Sequence, residues 1–190
     1  MDYTISKTKR NLIIFSSVFL ILKAIILAVV FQSVEPAKPD FVLSGIGRIL
    51  QIVAYGYILI ILFGYFKHYM LKELKMITLC ILALEIAGSA VQLFSSIAEI
   101  NVPNHVSSII TICWSLAMII WIVFLFRIPA TDFPALISIR KYAVSILAIV
   151  ILGGFIPVFI DASQYFELYA AIPVTIPYIF IVDFAMKLKV

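Results

Sequence analysis

Charge is scarce in this sequence, and acid is scarcer than base. Lys and Arg number 14 and Asp and Glu 10 in 190 residues, so 13% of the chain is charged against 64% hydrophobic. That ratio excludes a water-soluble globule, which could not cover so much apolar surface. A mean hydropathy of +1.18 makes a bilayer the natural solvent. Catalytic signatures are missing as well: there is no H-E-x-x-H, no G-x-S-x-G, no P-loop and no C-x-x-C. The two histidines, His68 and His105, are expected on opposite sides of the membrane, where they cannot share a haem or a metal. The two cysteines, Cys80 and Cys113, lie in apolar stretches at depths about 10–15 Å apart by helix rise. That is too far for a disulfide, and both are expected to be small buried hydrophobes. The length leaves no room for a separate soluble catalytic domain. Neither an enzyme nor a cofactor is expected.

The expected fold is an all-α integral membrane protein, a single bundle of six transmembrane helices in one domain, residues 1–190, with short loops. The spans are placed at about 12–31, 46–66, 76–98, 106–126, 143–160 and 165–186. The first is mostly Leu, Ile, Val and Phe, each favouring insertion by about 0.3–0.6 kcal/mol, which outweighs a cost of about 3 kcal/mol for Lys23. It lacks a small-residue cleavage site and is long enough to cross, so it reads as a span and not a signal peptide. Pro36 and Pro39 mark the first loop as non-helical, and Asn101-Val102-Pro103-Asn104 marks a turn. Between the fourth and fifth spans, Phe133, Leu136, Ile137 and Ile139 read as a short amphipathic piece lying in the membrane interface.

Base distribution sets the orientation. With the N-terminus inside, the inner segments hold Lys7, Lys9, Arg10, Lys67, Lys72, Lys75, Arg127, Arg140, Lys141, Lys187 and Lys189. The outer loops keep Lys38 and the border residue Arg48. The excess of inner bases predicts both termini in the cytoplasm of a multi-pass inner-membrane (plasma-membrane) protein. Because the net charge of +4 sits beside the apolar segments, topology accounts for it and no nucleic-acid-binding face is expected. Tyr65, Tyr69, Trp121 and Tyr142 fall near inner ends, and Tyr165 and Tyr169 near an outer end, as an aromatic belt does.

The third span carries the most informative pattern. Glu85, Gly88, Ser89, Gln92, Ser96 and Glu99 recur at spacings of three or four and so share one helix face. A carboxylate at that depth requires a partner, water or the neutral form. Lys23 and Glu85 lie at depths of about 18 and 14 Å by helix rise, a difference a Lys side chain spans. One reading is a salt bridge that locks the bundle; the other is a substrate or proton site flanked by the two charges. The stripe likewise has two readings. Small residues allow close helix packing in lipid, or the face is one wall of a cavity, with Arg48, Gln51 and Tyr55 on the second span as the other. The expected ligand-binding residues are therefore Glu85, Lys23, Gln92, Ser89, Gln51, Arg48 and Tyr55. Gly153-Gly154 with Pro157, and Pro173 with Pro177, free backbone carbonyls in the last two spans, a feature of broken helices at binding sites and of simple kinks alike.

Size and six-span topology resemble the substrate-binding membrane component of energy-coupling-factor vitamin transporters. Ala24 and Ala28 form an A-x-x-x-A in the first span similar to that family's docking motif. The resemblance is one of size and topology, and it implies solute binding beside a transmembrane partner. Two functions are expected from the chain as a whole: binding or transport of a small solute or ion around Glu85, or an accessory role as complex subunit, immunity or defence factor, or regulator. The partners expected are the lipid bilayer and either a second copy of the chain or another membrane protein.

Overall fold

Long apolar runs punctuated by Pro, Asn and basic turns have one way to satisfy their backbone in lipid, which is to close every amide within a helix. The computed structural model describes residues 3–33, 41–97, 103–129, 133, 135–159 and 166–190. The side chains at 27–33, 41–45, 92, 94–97, 104, 150–159 and 166–172 lie outside that description. Six helices form: α1 (Lys7–Ser33), α2 (Phe41–His68), α3 (Lys72–Ile97), α4 (Asn104–Arg127), α5 (Leu136–Phe159) and α6 (Phe166–Lys187). There is no named strand among the described residues, and one isolated bridge pairs Thr4 with Lys189.

The spans expected at 12–31, 46–66 and 106–126 fall within α1, α2 and α4, and those expected at 76–98, 143–160 and 165–186 coincide with α3, α5 and α6 over the described residues. Among the described residues, three helices are long and apolar enough to cross a membrane: Ile46–His68, Lys72–Val91 and His105–Arg127. At 23, 20 and 23 residues they reach about 30–35 Å, the thickness of a hydrocarbon core. Over the described residues the spans expected at 12–31, 143–160 and 165–186 are helical without qualifying. The described side chains of α1 end at 26, a stretch that holds Lys7, Lys9, Arg10 and Lys23, and much of α5 and α6 also lies outside the described side chains.

The chain divides into two compact units. One is Lys38–Arg127, and the other joins Met1–Ala37 to Ile128–Val190.

In the contiguous unit, α3 packs against both α2 and α4. The α2–α3 turn is a Schellman motif. Leu71 N donates to Phe66 O at 2.9 Å and Met70 N to Lys67 O at 3.2 Å, with Met70 left-handed at φ 56°. The core beneath it is aromatic: the rings of Phe66 and Trp121 meet edge to face at 6.2 Å, and Tyr65, Leu74, Ile81 and Leu125 are buried around them. On α4, Ile109, Ile112, Leu116, Ile119, Ile120, Val123 and Phe126 form an exposed apolar stripe at helical spacing, the face a bilayer covers.

In the other unit, α6 packs against both α1 and α5. Ser6 caps α1 by accepting from Lys9 N at 3.3 Å. Just outside the cap, Ile5 N donates to Lys189 O at 3.0 Å, so the start of α1 and the end of α6 lie together and the two helices run antiparallel. Ile5 and Leu188 are buried there as a lid on the helix ends. α6 runs unbroken through Pro173 and Pro177.

Several sequence expectations are corrected here. Tyr65, Trp121 and Tyr142 are each about 1% exposed and belong to the core instead of a lipid-facing belt. The aromatic-belt pattern and a buried aromatic cluster look alike when only distance from a helix end is known. The interfacial piece is instead the first turn of α5, with Leu136 and Ile139 wholly buried. Cys80 and Cys113 are unpaired, as depth required, but both are exposed and not buried. Glu99, the first loop's prolines and Tyr165 lie outside the described residues, as do the side chains of Pro157, Gly153, Gly154 and Tyr169.

Candidate functional site

The site is built on the antiparallel register of α3 against α4. Thr78 faces Trp121, Glu85 faces Trp114, and Gly88 faces Ile110, so contacts recur after two turns and then after about one turn along both helices. A Cβ added at Gly88 would stand 3.4 Å from Ile110 Cγ2, so the two helices pack closely here with room for little more than a methyl group. Ser89 is buried beside it.

The two tryptophans of the chain thus occupy equivalent places and differ in one respect. Trp121 Nε1 donates to Thr78 Oγ1 at 3.0 Å, and the Thr78 hydroxyl donates on to Leu74 O at 2.7 Å, so every polar atom is used. Trp114 stands beside the half-buried Glu85 carboxyl, near enough to interact with it. Its buried Nε1 nevertheless closes no hydrogen bond with any protein group. The indole N–H is therefore set beside the carboxyl without closing good hydrogen-bond geometry, a weakly satisfied donor next to a strong acceptor.

The α2 wall lies in the same unit. Arg48 and Gln51 are half-buried and Tyr55 is buried, at spacings of three and four along one face. A Cβ on Gly56 would meet Leu82 Cδ1 at 3.6 Å, which fixes the α2–α3 register and sets Tyr55 and Glu85 within a turn of that contact on their own helices. Glu85, Ser89, Arg48, Gln51 and Tyr55 therefore share one unit, while Lys23, half-buried on α1, belongs to the other. The Gln92 backbone continues α3, and its side chain lies outside the description. On α4, Thr111 and Ser115 donate to carbonyls of their own helix, Ser107 O and Thr111 O, each at 2.9 Å.

Sequence reasoning passed over Trp114. The signal was available: Trp114 and Trp121 lie seven residues apart, as do Thr78 and Glu85, and matching steps of seven on antiparallel helices keep facing pairs in register. Among the described residues, no group of His, Cys, Asp and Glu is placed to hold a metal ion.

Comparison with protein-family models, with curated proteins and with solved structures found no match.

Proposed function

We propose that this is a small membrane protein that binds, and in binding carries, a polar solute at Glu85 and Trp114. The observation that carries the reading is the buried Trp114 Nε1, set beside the Glu85 carboxyl without closing good hydrogen-bond geometry with it. Such a pair suits a solute with a donor next to an acceptor: the donor meets Glu85 and the acceptor takes the indole N–H. A bare cation or a protonated amine would satisfy Glu85 but offer nothing to the indole N–H, so a small amide or alcohol fits better. Arg48, Gln51 and Tyr55 on α2, with Ser89 on α3, complete the polar surroundings.

The reading extends to topology. All six helices cross the inner membrane with both termini cytoplasmic. Support comes from the three qualifying spans, from the bases at the inner ends, and from the Ile5–Lys189 hydrogen bond, which requires both termini on one side.

Native mass spectrometry of the gently solubilised protein, purified from its own host, tests the proposal. A small molecule at unit stoichiometry, lost in Glu85→Gln and weakened in Trp114→Phe, is expected. A second reading, an accessory subunit working through helix contacts, draws on the close Gly88–Ile110 approach and the exposed α4 stripe. A co-purifying membrane protein with no small ligand in either form would favour that reading and overturn the first.

A further inference from the structure

The second unit carries a feature that solute binding at Glu85 does not use. The Ile5–Lys189 hydrogen bond and the Thr4–Lys189 bridge draw the first turn of α1 against the tail after α6. Lys7, Lys9 and Arg10 are thereby gathered with Lys187 and Lys189. The first turns of α5 join the same end, because Lys187 Nζ donates to Ser138 Oγ at 2.9 Å. Asp183 is the acid at this end among the described residues, and it is already engaged, by Lys187 at 2.7 Å and by Ser138 at 2.5 Å.

Two further observations point to what the bases meet. Arg10 is half-buried, and its Nε is fully buried with no hydrogen-bond partner. Guanidinium N–H groups of that kind are matched by the paired oxygens of a phosphate, which accept two parallel hydrogen bonds. Directly below, one face of α1 passes from polar to apolar: Lys7 and Asn11 are exposed, followed at helical spacing by exposed Phe15, Val18, Leu22 and Ile25. Base above and uninterrupted apolar surface below is the order of a phospholipid, phosphate first and acyl chain after it.

We infer that the end of the unit formed by the start of α1 and the end of α6 is a binding site for one anionic phospholipid. Arg10 and Lys7, with Lys189, hold the phosphate, and the Phe15–Ile25 face of α1 carries an acyl chain. The continuous apolar face is what selects a lipid over free phosphate, which would use only the bases. The basic α2–α3 turn, with Lys67, Lys72 and Lys75, provides an internal comparison in the other unit, since it bears three bases, the number assigned to the phosphate.

The test is native mass spectrometry of the full chain in mild detergent, titrated with phosphatidylglycerol or phosphatidylcholine. One phosphatidylglycerol is expected to be retained in preference to phosphatidylcholine. Its affinity should fall about fivefold for each base removed in Lys7→Gln/Arg10→Gln/Lys189→Gln, and change less than about twofold in Lys67→Gln/Lys72→Gln/Lys75→Gln, where no site is assigned. Arg10→Lys keeps the charge and removes the fork, so it should still lose about fivefold, and it serves where the triple variant does not fold. Equal loss in both triple variants would show diffuse attraction and overturn the site. So would equal retention of phosphatidylcholine, full retention by Arg10→Lys, or displacement by inorganic phosphate at matching concentration.

Discussion

Trp121 Nε1 donates to Thr78 Oγ1 across 3.0 Å of buried interface, tying α4 to α3 two turns from the place where Trp114 meets Glu85. One indole is satisfied by protein and the other is not. Trp121→Phe should therefore cost about 2–4 kcal/mol, from a lost hydrogen bond and a cavity in the aromatic core. Trp114→Phe removes an unsatisfied donor and should change the stability of the ligand-free protein by less than about 1 kcal/mol. Thermal unfolding of both variants in the same detergent decides this. Equal losses would mean that Trp114 is as structurally committed as Trp121.

Gly88 gives a graded test of the α3–α4 contact. Its added Cβ would stand 3.4 Å from the tip of Ile110, so Gly88→Ala needs only a small rotamer adjustment and should shift stability by under about 1 kcal/mol. Gly88→Leu has no such room and should cost about 1–3 kcal/mol. A Leu variant as stable as the parent, read from its unfolding midpoint, would show that the helices are not held together at this point.

Met70 occupies a left-handed position at φ 56° and is 90% exposed. It pays the steric cost of that conformation and contributes no packing in return. Met70→Gly should stabilise the protein by about 1 kcal/mol, the difference between a side chain and glycine at the end of a Schellman motif. A lowered melting temperature for this variant would refute the assignment of the turn.

The Ser138–Asp183–Lys187 cluster joins α5 to α6 through one carboxylate oxygen. Ser138 is wholly buried, whereas both charged side chains are well exposed, so the serine contact rather than the ion pair should dominate. Ser138→Ala is expected to cost about 1–2 kcal/mol and Lys187→Gln less than about 1. A double-mutant cycle with Asp183→Asn should place most of the coupling between Ser138 and Asp183. Coupling confined to Lys187 would reverse that order.

How far the sequence could be read depended on what kind of question was asked of it. Helix positions were legible, since Pro, Asn and basic turns punctuate apolar runs: the fourth span expected at 106–126 lies within Asn104–Arg127. Facing was not. Lipid and protein interior are both apolar, so Ile13, which is buried, and Leu12, which is exposed, carry no mark in their residue type. Cys80 and Trp121 were misread for the same reason in opposite directions. The polar stripe on α3 was visible because its residues differ chemically from their neighbours, and Glu85 stood out on it. Trp114 did not, because an indole reads as hydrophobic until its N–H is followed to see where it goes. Arg10 was assigned to topology, which accounts for its charge but not for its orphaned Nε.

The pairing of Ile5 with Lys189 also imposes an order on assembly. Lys38–Arg127 is one continuous stretch, so its helices can pack as soon as Arg127 has left the ribosome. α1 is made first, yet the helix it packs against, α6, is made last. Through most of synthesis, α1 must wait with the face that buries Ile13 and Leu20 uncovered. The final residues, Leu188 and Lys189, then close the unit by meeting its first. Loss of the last few residues would therefore be felt at the opposite end of the sequence, in protection of the α1 amides from hydrogen exchange, before it was felt anywhere in α2, α3 or α4.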